Sequence, residues 1–259
     1  MKLCLAAFEN HPKVIALLRA KCWFFLASYL KIESLKQEDL EKVVSAKKFF
    51  ILDSGAHTFQ KEGKEADYDE FVARYGQYVK RNPWIDEYAE LDIETKVGLK
   101  QVEKWRDKLT ETVGRPPIVV WHRERGKEYY KYMVRKYPYV GFSGFVTTNG
   151  QPEVPNEYIG WFIREAHDNG AKIHGFGFTR PKLLPKYPFD SVDSSSWTAG
   201  SRFGVLYSTN GLQLILSKQG KKEGVGFHHN TRDKTNAKAW VEFQKNLYEY
   251  WGGSQTPAK

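Results

Sequence analysis

The sequence predicts an α/β fold, and specifically a (β/α)8 TIM-type barrel. Three observations predict it. Short β-rich runs recur along the chain, and helical stretches separate most of them. Several runs are apolar with few gaps, as expected of strands buried on both faces of a parallel sheet. The length of 259 residues suits such a barrel as one domain.

The elements follow in order. The run Lys2–Phe8 leads to a helix over Pro12–Lys21, and Trp23–Tyr29 to a helix over Leu35–Ala46. Phe49–Gly55 precedes Tyr68–Lys80, Glu87–Ile93 precedes Leu99–Thr112, and Pro117–Arg123 precedes Lys127–Lys136. Tyr139–Phe145 precedes Asn156–Asn169, which Asn169-Gly170 closes with a C-cap signal. Between Lys172–Phe178 and Ser191–Trp197 the link is short and proline-rich, so the seventh helix is reduced or absent. Then the alternation ends. Phe203–Tyr207 and Leu212–Ser217 flank Ser208-Thr209-Asn210-Gly211, where Asn-Gly is a strong hairpin signal. A helix from Thr235 to Tyr250 closes the fold. The expected layout is a single domain over 1–259: a barrel core over 1–200, a short basic hairpin and closing helix over 201–251, and a flexible tail over 252–259.

Composition excludes several classes. Hydrophobic residues make up 41% and aromatic residues 15%, which is a globular balance and not that of a disordered chain. Two cysteines, Cys4 and Cys22, are too few for a disulfide scaffold or a zinc site of three or four thiolates. The most apolar stretch, Val14–Leu30, is too short to span a bilayer and is broken by Arg19 and Lys21. Glu9, His11 and Lys13 interrupt the apolar start, so no signal peptide is read. The expectation is a soluble cytoplasmic protein (host cytoplasm if the chain is viral) with no membrane partner and no cofactor. The net charge is +9, and residues 201–259 carry nine Lys and Arg against four Asp and Glu. A basic surface there suits a polyanion such as nucleic acid, or a plain solvated face.

In a parallel barrel, chemistry sits at the C-terminal ends of the strands. Those ends read Asp53-Ser54-Gly55, Glu90-Leu91-Asp92, Trp121-His122, Gly141-Phe142-Ser143-Gly144, His174-Gly175-Phe176-Gly177 and Asp193-Ser194-Ser195-Ser196. Asp53 and Asp193 form the sharpest pair, since two carboxylates across a pocket divide nucleophile and acid–base roles at a glycosidic carbon. Each also suits capping the turn that follows it. Asp92 follows Asp86, Glu87 and Glu90, so it reads either as surface charge or as an acceptor for a guanine-like edge. His57 and His122 read as stacking or hydrogen-bonding groups, or as satisfied structural histidines. His228-His229 lacks further ligands and is not read as a metal site. Gly175 and Gly177 suit a tight turn, not a dinucleotide fingerprint.

Five of these segments carry a resemblance. Asp53-Ser54-Gly55-Ala56-His57 resembles the Asp-Ser-Gly-Gly-aromatic motif of the tRNA-guanine transglycosylase family. Asp193–Gly204 (DSSSWTAGSRFG) resembles that family's nucleophile motif, close to DSASYALYARDG in the archaeal branch, with Arg202 and Gly204 in register. Asp92 falls where the family has a base-recognising Asp, Gly141–Gly144 is similar to its strand-6 loop, and Ile173–Gly177 to its Leu-Met-Gly-Val-Gly segment. The similarity spans residues 49–204.

The resemblance implies base exchange on nucleic acid. Asp193 would attack C1′ of a guanosine unit, and Asp53 would handle the proton of the leaving and incoming bases. Asp92 would hold the Watson–Crick edge, with His57 and His174 stacking on the base and Gly141, Phe142, Ser143, Gly144 and Gly175 around it. His122 falls at another base-edge position, for which Trp121 is a rival. Asp190 is a rival nucleophile, but only the Asp193 register places Arg202 and Gly204 correctly. The family's tRNA enzymes carry a zinc subdomain built on cysteines after the barrel, and here the last cysteine is Cys22. That points to the DNA-modifying branch, common in bacterial viruses, which takes DNA and a free 7-deazaguanine base as substrates. Arg202, Lys218, Lys221, Lys222, Arg232 and Lys234 would contact phosphates. The same exchange on tRNA, an N-glycosidase and a catalytically silent nucleic-acid-binding barrel are the alternatives. Oligomeric state is left open.

Overall fold

The apolar runs do become strands, and shorter ones than their hydrophobicity suggests. In the computed structural model, which describes residues 1–56, 58–59, 67–143, 154–178, 180–218 and 229–253 (the side chains of 200, 201, 218, 229 and 230 left aside), eight strands precede a hairpin. They are β1 (Lys2–Leu5), β2 (Phe24–Ser28), β3 (Phe49–Asp53), β4 (Glu87–Tyr88), β5 (Val119–Trp121), β6 (Tyr139–Phe142), β7 (Lys172–Gly175) and β8 (Ser191–Ser194). The hydrogen-bonded order is β4-β3-β2-β1-β8-β7-β6-β5. Pairing is parallel between β1 and β2, β1 and β8, β3 and β4, β5 and β6, and β6 and β7. A parallel bridge between Ala89 and Ile118 joins the two ends of that order. Ile118 N–H donates to Tyr88 O at 2.7 Å, and Glu90 N–H to Ile118 O at 3.1 Å. Eight strands in that order, with helices between them, make a (β/α)8 TIM-type fold. As expected, among its described residues the β7–β8 link holds only a short 3-10 turn, Leu184–Lys186.

The chain parts into two compact units. One comprises Met1–Phe25, Ser34–Lys48 and Gly177–Lys259. It holds the helices His11–Arg19, Gln37–Ala46, Ala199–Phe203 and His229–Tyr250, and the hairpin β9 (Val205–Asn210) and β10 (Gln213–Lys218). Trp197 and Trp240 are its largest buried side chains, and Trp197 Nε1 donates to Ala6 O at 2.7 Å. Buried Gln244, on the last helix, donates from Nε2 to Leu3 O (2.7 Å) and Phe24 O (3.1 Å) and accepts from Trp23 N–H (2.9 Å). One amide thereby ties that helix to two strands.

The other unit comprises Leu26–Glu33 and Phe49–Phe176. The helix Tyr68–Arg81 shows why its helices form. Asp67 caps it by accepting Glu70 N–H at 2.9 Å, acids occupy the first turn, Lys80 and Arg81 the last, and Phe71, Val72, Tyr75, Gly76 and Val79 are buried. The Tyr75 hydroxyl lies 2.9 Å from the carbonyls of both Leu52 and Ala89. Trp121, Phe142 and Phe162 pack around one another, Trp121 stacking on Phe142 with centroids 5.3 Å apart.

Two boundaries move for physical reasons. The hairpin pairs Asn210 with Gln213, so its loop is Gly211-Leu212 and not a turn over 208–211. Gly211 takes φ +57, and a two-residue loop led by a left-handed glycine matches the strands' twist. The last helix begins at His229, before Thr235. Its first turns lack apolar periodicity and are held instead by polar docking. Buried Asn236 accepts from Tyr207 N–H (2.8 Å) and donates to Val205 O (3.1 Å). Among the described residues no helix is long and apolar enough to cross a membrane.

Candidate active site

The densest polar cluster among the described residues follows β4 and β5. Glu90 looks in sequence like part of a surface acidic run, yet it is fully buried. Its carboxylate accepts from Arg106 Nε (2.6 Å), Arg106 Nη2 (3.3 Å), Arg125 Nη1 (3.1 Å) and Val120 N–H (2.8 Å). Arg106 lies on the helix Leu99–Val113 among buried Val102, Trp105 and Leu109, and Arg125 follows the strand β5. Arg125 Nε then donates to Glu94 Oε1 at 2.7 Å. Burial works against ionising Glu90, but the charges of Arg106 and Arg125 outweigh it and hold its carboxyl below the usual range. Burial likewise opposes Glu94, and its bond to Arg125 wins there too.

Asp92 and His122 cap this ladder. His122 Nε2 lies 2.7 Å from Asp92 Oδ2 and 4.0 Å from Glu94 Oε1, and both partners of the closer pair are mostly buried. Burial pushes the Asp92 carboxyl up, against the pull of His122. Burial disfavours the His122 imidazolium, but the Asp92 hydrogen bond and the Asp92 and Glu94 charges outweigh it and raise its pKa. The two groups share one short contact between an acid and a base, a pair suited to exchanging a proton. Next to it, Glu94 Oε2 and Arg125 Nη2 are buried without a hydrogen-bond partner. A ligand edge that sets a donor beside an acceptor would satisfy both atoms, as would one water. Trp121, the rival to His122, packs inward and donates to Gly126 O at 2.8 Å.

Asp53 ends β3, and its Oδ2 accepts Gly55 N–H at 3.0 Å. Gly55 has φ +89, and a Cβ there would crowd Leu30 and Ser28, so this turn requires glycine. The Ser54 hydroxyl donates to Glu90 O at 2.9 Å, which ties the segment to the ladder. In the other unit, Asp193 lies within β8, and its Oδ1 accepts Gly177 N–H at 2.7 Å, where Gly177 takes φ +62. Each carboxylate therefore does hold a glycine turn. Asp190 precedes β8 and so stands at the strand's N-terminal end, whereas Asp193 is near the C-terminal end where barrel chemistry occurs.

The other expected base contacts are packed differently. Phe142 is fully buried against Trp121 and Phe162. His174 is fully buried edge-on to Phe176, with centroids 4.3 Å apart. Neither ring, as it stands, is open to a base. Gly141 and Gly175 are buried at the ends of β6 and β7, and half-buried Ser143 donates its N–H to Trp121 O at 3.0 Å. His57, Gly144, Lys221 and Lys222 lie outside the described residues, as do residues 254–259 of the expected tail and the Lys218 side chain. Arg202 and Lys234 are exposed and Arg232 is half-buried.

The sequence reading missed Glu90, Glu94, Arg106 and Arg125. A signal for one existed, since Arg106 interrupts the apolar face of its helix and a buried guanidinium demands an acid. It also missed that Arg19 and Lys21 line one surface depression with Lys234 and Lys238.

No protein-family model matches the chain, and no curated protein matches it. Among solved structures it is similar to a protein from Coccidioides immitis named for fructose-1,6-biphosphate aldolase. The TM-score is 0.58 at 11% identity, over 97% of this chain and 92% of that one. Identity at that level carries the fold and nothing of the activity.

Proposed function

We propose that this protein is an enzyme of base exchange, replacing guanine in DNA with a 7-deazaguanine. One observation carries the reading most: the segments that resemble the transglycosylase motifs lie at or just beyond the C-terminal ends of parallel strands. Asp53 ends β3, Asp92 and His122 follow β4 and β5, Ser143 follows β6, Gly175 ends β7 and Asp193 stands near the end of β8.

In this reading an Asp193 oxygen attacks C1′ of the target guanosine. The C1′–N9 bond breaks, its electron pair leaves with guanine, and protonated Asp53 supplies the proton. The incoming base returns its N9 proton to Asp53 as N9 attacks C1′ and expels the Asp193 carboxylate. Two inversions retain the anomeric configuration. Asp92, the neighbouring His122 and the Glu94–Arg125 pair face the base edge with both donors and acceptors. In duplex DNA the target must leave the stack, at a cost on the order of a few kcal/mol. Basic residues after β8 would offset that through phosphate contacts.

The test is entry of radiolabelled guanine into duplex DNA, single-stranded DNA and unmodified tRNA in parallel. Label in DNA and not in tRNA supports the proposal, and label in tRNA alone moves the same chemistry to RNA. Asp193→Ala should abolish incorporation while leaving DNA affinity unchanged, with a small drop in melting because Gly177 N–H loses its acceptor. Normal incorporation by that variant would remove Asp193 as nucleophile. Abasic sites formed without added base would mark a glycosidase instead.

A further inference from the structure

The strongest feature outside the site is at the junction of the helix Ala199–Phe203 with β9. Phe203 is 70% exposed, the most exposed large hydrophobic side chain among the described residues. The Arg202 guanidinium lies 5.3 Å from its ring centroid. Gly204, at φ +68, turns the chain sharply after it, and a Cβ there would stand 3.7 Å from Arg232 Nη1. Arg232 is half-buried, and its Nε is buried with no hydrogen-bond partner. Among the described residues neither Arg202 nor Arg232 forms an ion pair, and the neighbouring Asp233 is itself buried.

A half-buried guanidinium with an unmet donor and no acid partner is costly until an anion meets it. Phe203 stands exposed with the Arg202 guanidinium against it and Arg232 beside the next residue, and with neither cation in an ion pair among the described residues the group suits a polyanion better than a neutral protein face. It resembles a stacking platform on a cationic track, the arrangement that takes unpaired nucleotides. Ile215 and Leu216 of the hairpin are also exposed, on opposite faces of β10.

We propose that Phe203 stacks on an unpaired nucleobase while Arg202 and Arg232 hold phosphates of the same strand. This rests on the nucleic-acid reading above and adds its point of grip, ten residues beyond the proposed nucleophile. The chemistry recognised is a base face plus phosphodiester, so single-stranded or locally opened DNA is preferred to closed duplex.

The experiment is fluorescence anisotropy of the full chain with a labelled single-stranded oligonucleotide across a salt series. Phe203→Ala should weaken binding about tenfold with the salt slope unchanged, and Phe203→Trp should restore it. Arg202→Gln and Arg232→Gln should each lower the salt slope by about one. Wild-type affinity in Phe203→Ala, or no recovery in Phe203→Trp, would overturn the proposal. So would sedimentation showing that Phe203→Ala only splits a dimer of this chain. Binding requires no base exchange, so the two readings fail separately. An inactive wild type that binds through Phe203 removes only the enzyme, and an active one indifferent to Phe203 removes only this inference.

Discussion

Glu90→Gln removes one buried charge while keeping shape and one carbonyl acceptor. In the native protein that carboxylate meets three guanidinium N–H groups and one backbone N–H, all within 3.3 Å. Breaking a buried pair costs about 3–5 kcal/mol because the surviving charge is stranded. Arg125 retains Glu94, so the loss falls on Arg106, whose remaining partners are the Tyr129 and Tyr137 hydroxyls. That places the cost near the lower bound, about 3 kcal/mol. A domain of this length has an unfolding entropy of about 0.5 kcal/mol/K, so melting should drop by about 6 °C. Differential scanning calorimetry at neutral pH measures it. The pH dependence adds a signed check. Glu90 has its folded pKa depressed, so its contribution is present above the unfolded value of about 4.3 and lost as pH falls through the folded one. The gap between wild type and variant should therefore close in acid. Equal melting at neutral pH, or a gap that widens on acidification, would refute the claim that Glu90 anchors the ladder as a carboxylate.

Asp92→Asn should lower the His122 pKa, read from imidazole NMR shifts. The raised native value means that this histidine stabilises the fold fully below about 6.5 and loses that contribution as pH rises through the folded pKa. An unchanged titration in Asp92→Asn would show that the pair is not coupled. Gly141→Ala would drive a methyl into the Phe176 ring and against Ile118, costing about 1–3 kcal/mol in urea unfolding. Unaltered stability would mean that the Phe176 ring has room to yield.

The barrel was legible because each apolar run carries its own period, and β3, β6 and β8 formed within the runs that predict them. Strand ends were less legible. Lys2–Phe8 stays apolar to its end, but the ladder stops at Leu5 and Ala7 adopts φ +62. Hydrophobicity marks burial, not pairing. Within the candidate site, the Asp92–His122 contact joins residues already marked as chemical, while Glu90 remained hidden. A carboxylate's burial is decided by partners from other segments, here Arg106 and Arg125, and no local pattern announces them. The converse holds at His174, a polar ring at a strand end that is fully buried edge-on to Phe176.

The Gln244 clamp bears on the order of synthesis. Leu3, Cys22 and Phe24 are synthesised 241, 222 and 220 residues before the amide that bonds them. The first two strands are born early but cannot be finished until the final helix is released. Until Gln244 emerges, water must serve the Leu3 and Phe24 carbonyls, and a chain cut before Gln244 loses the tie between these two strands along with the helix that carries it.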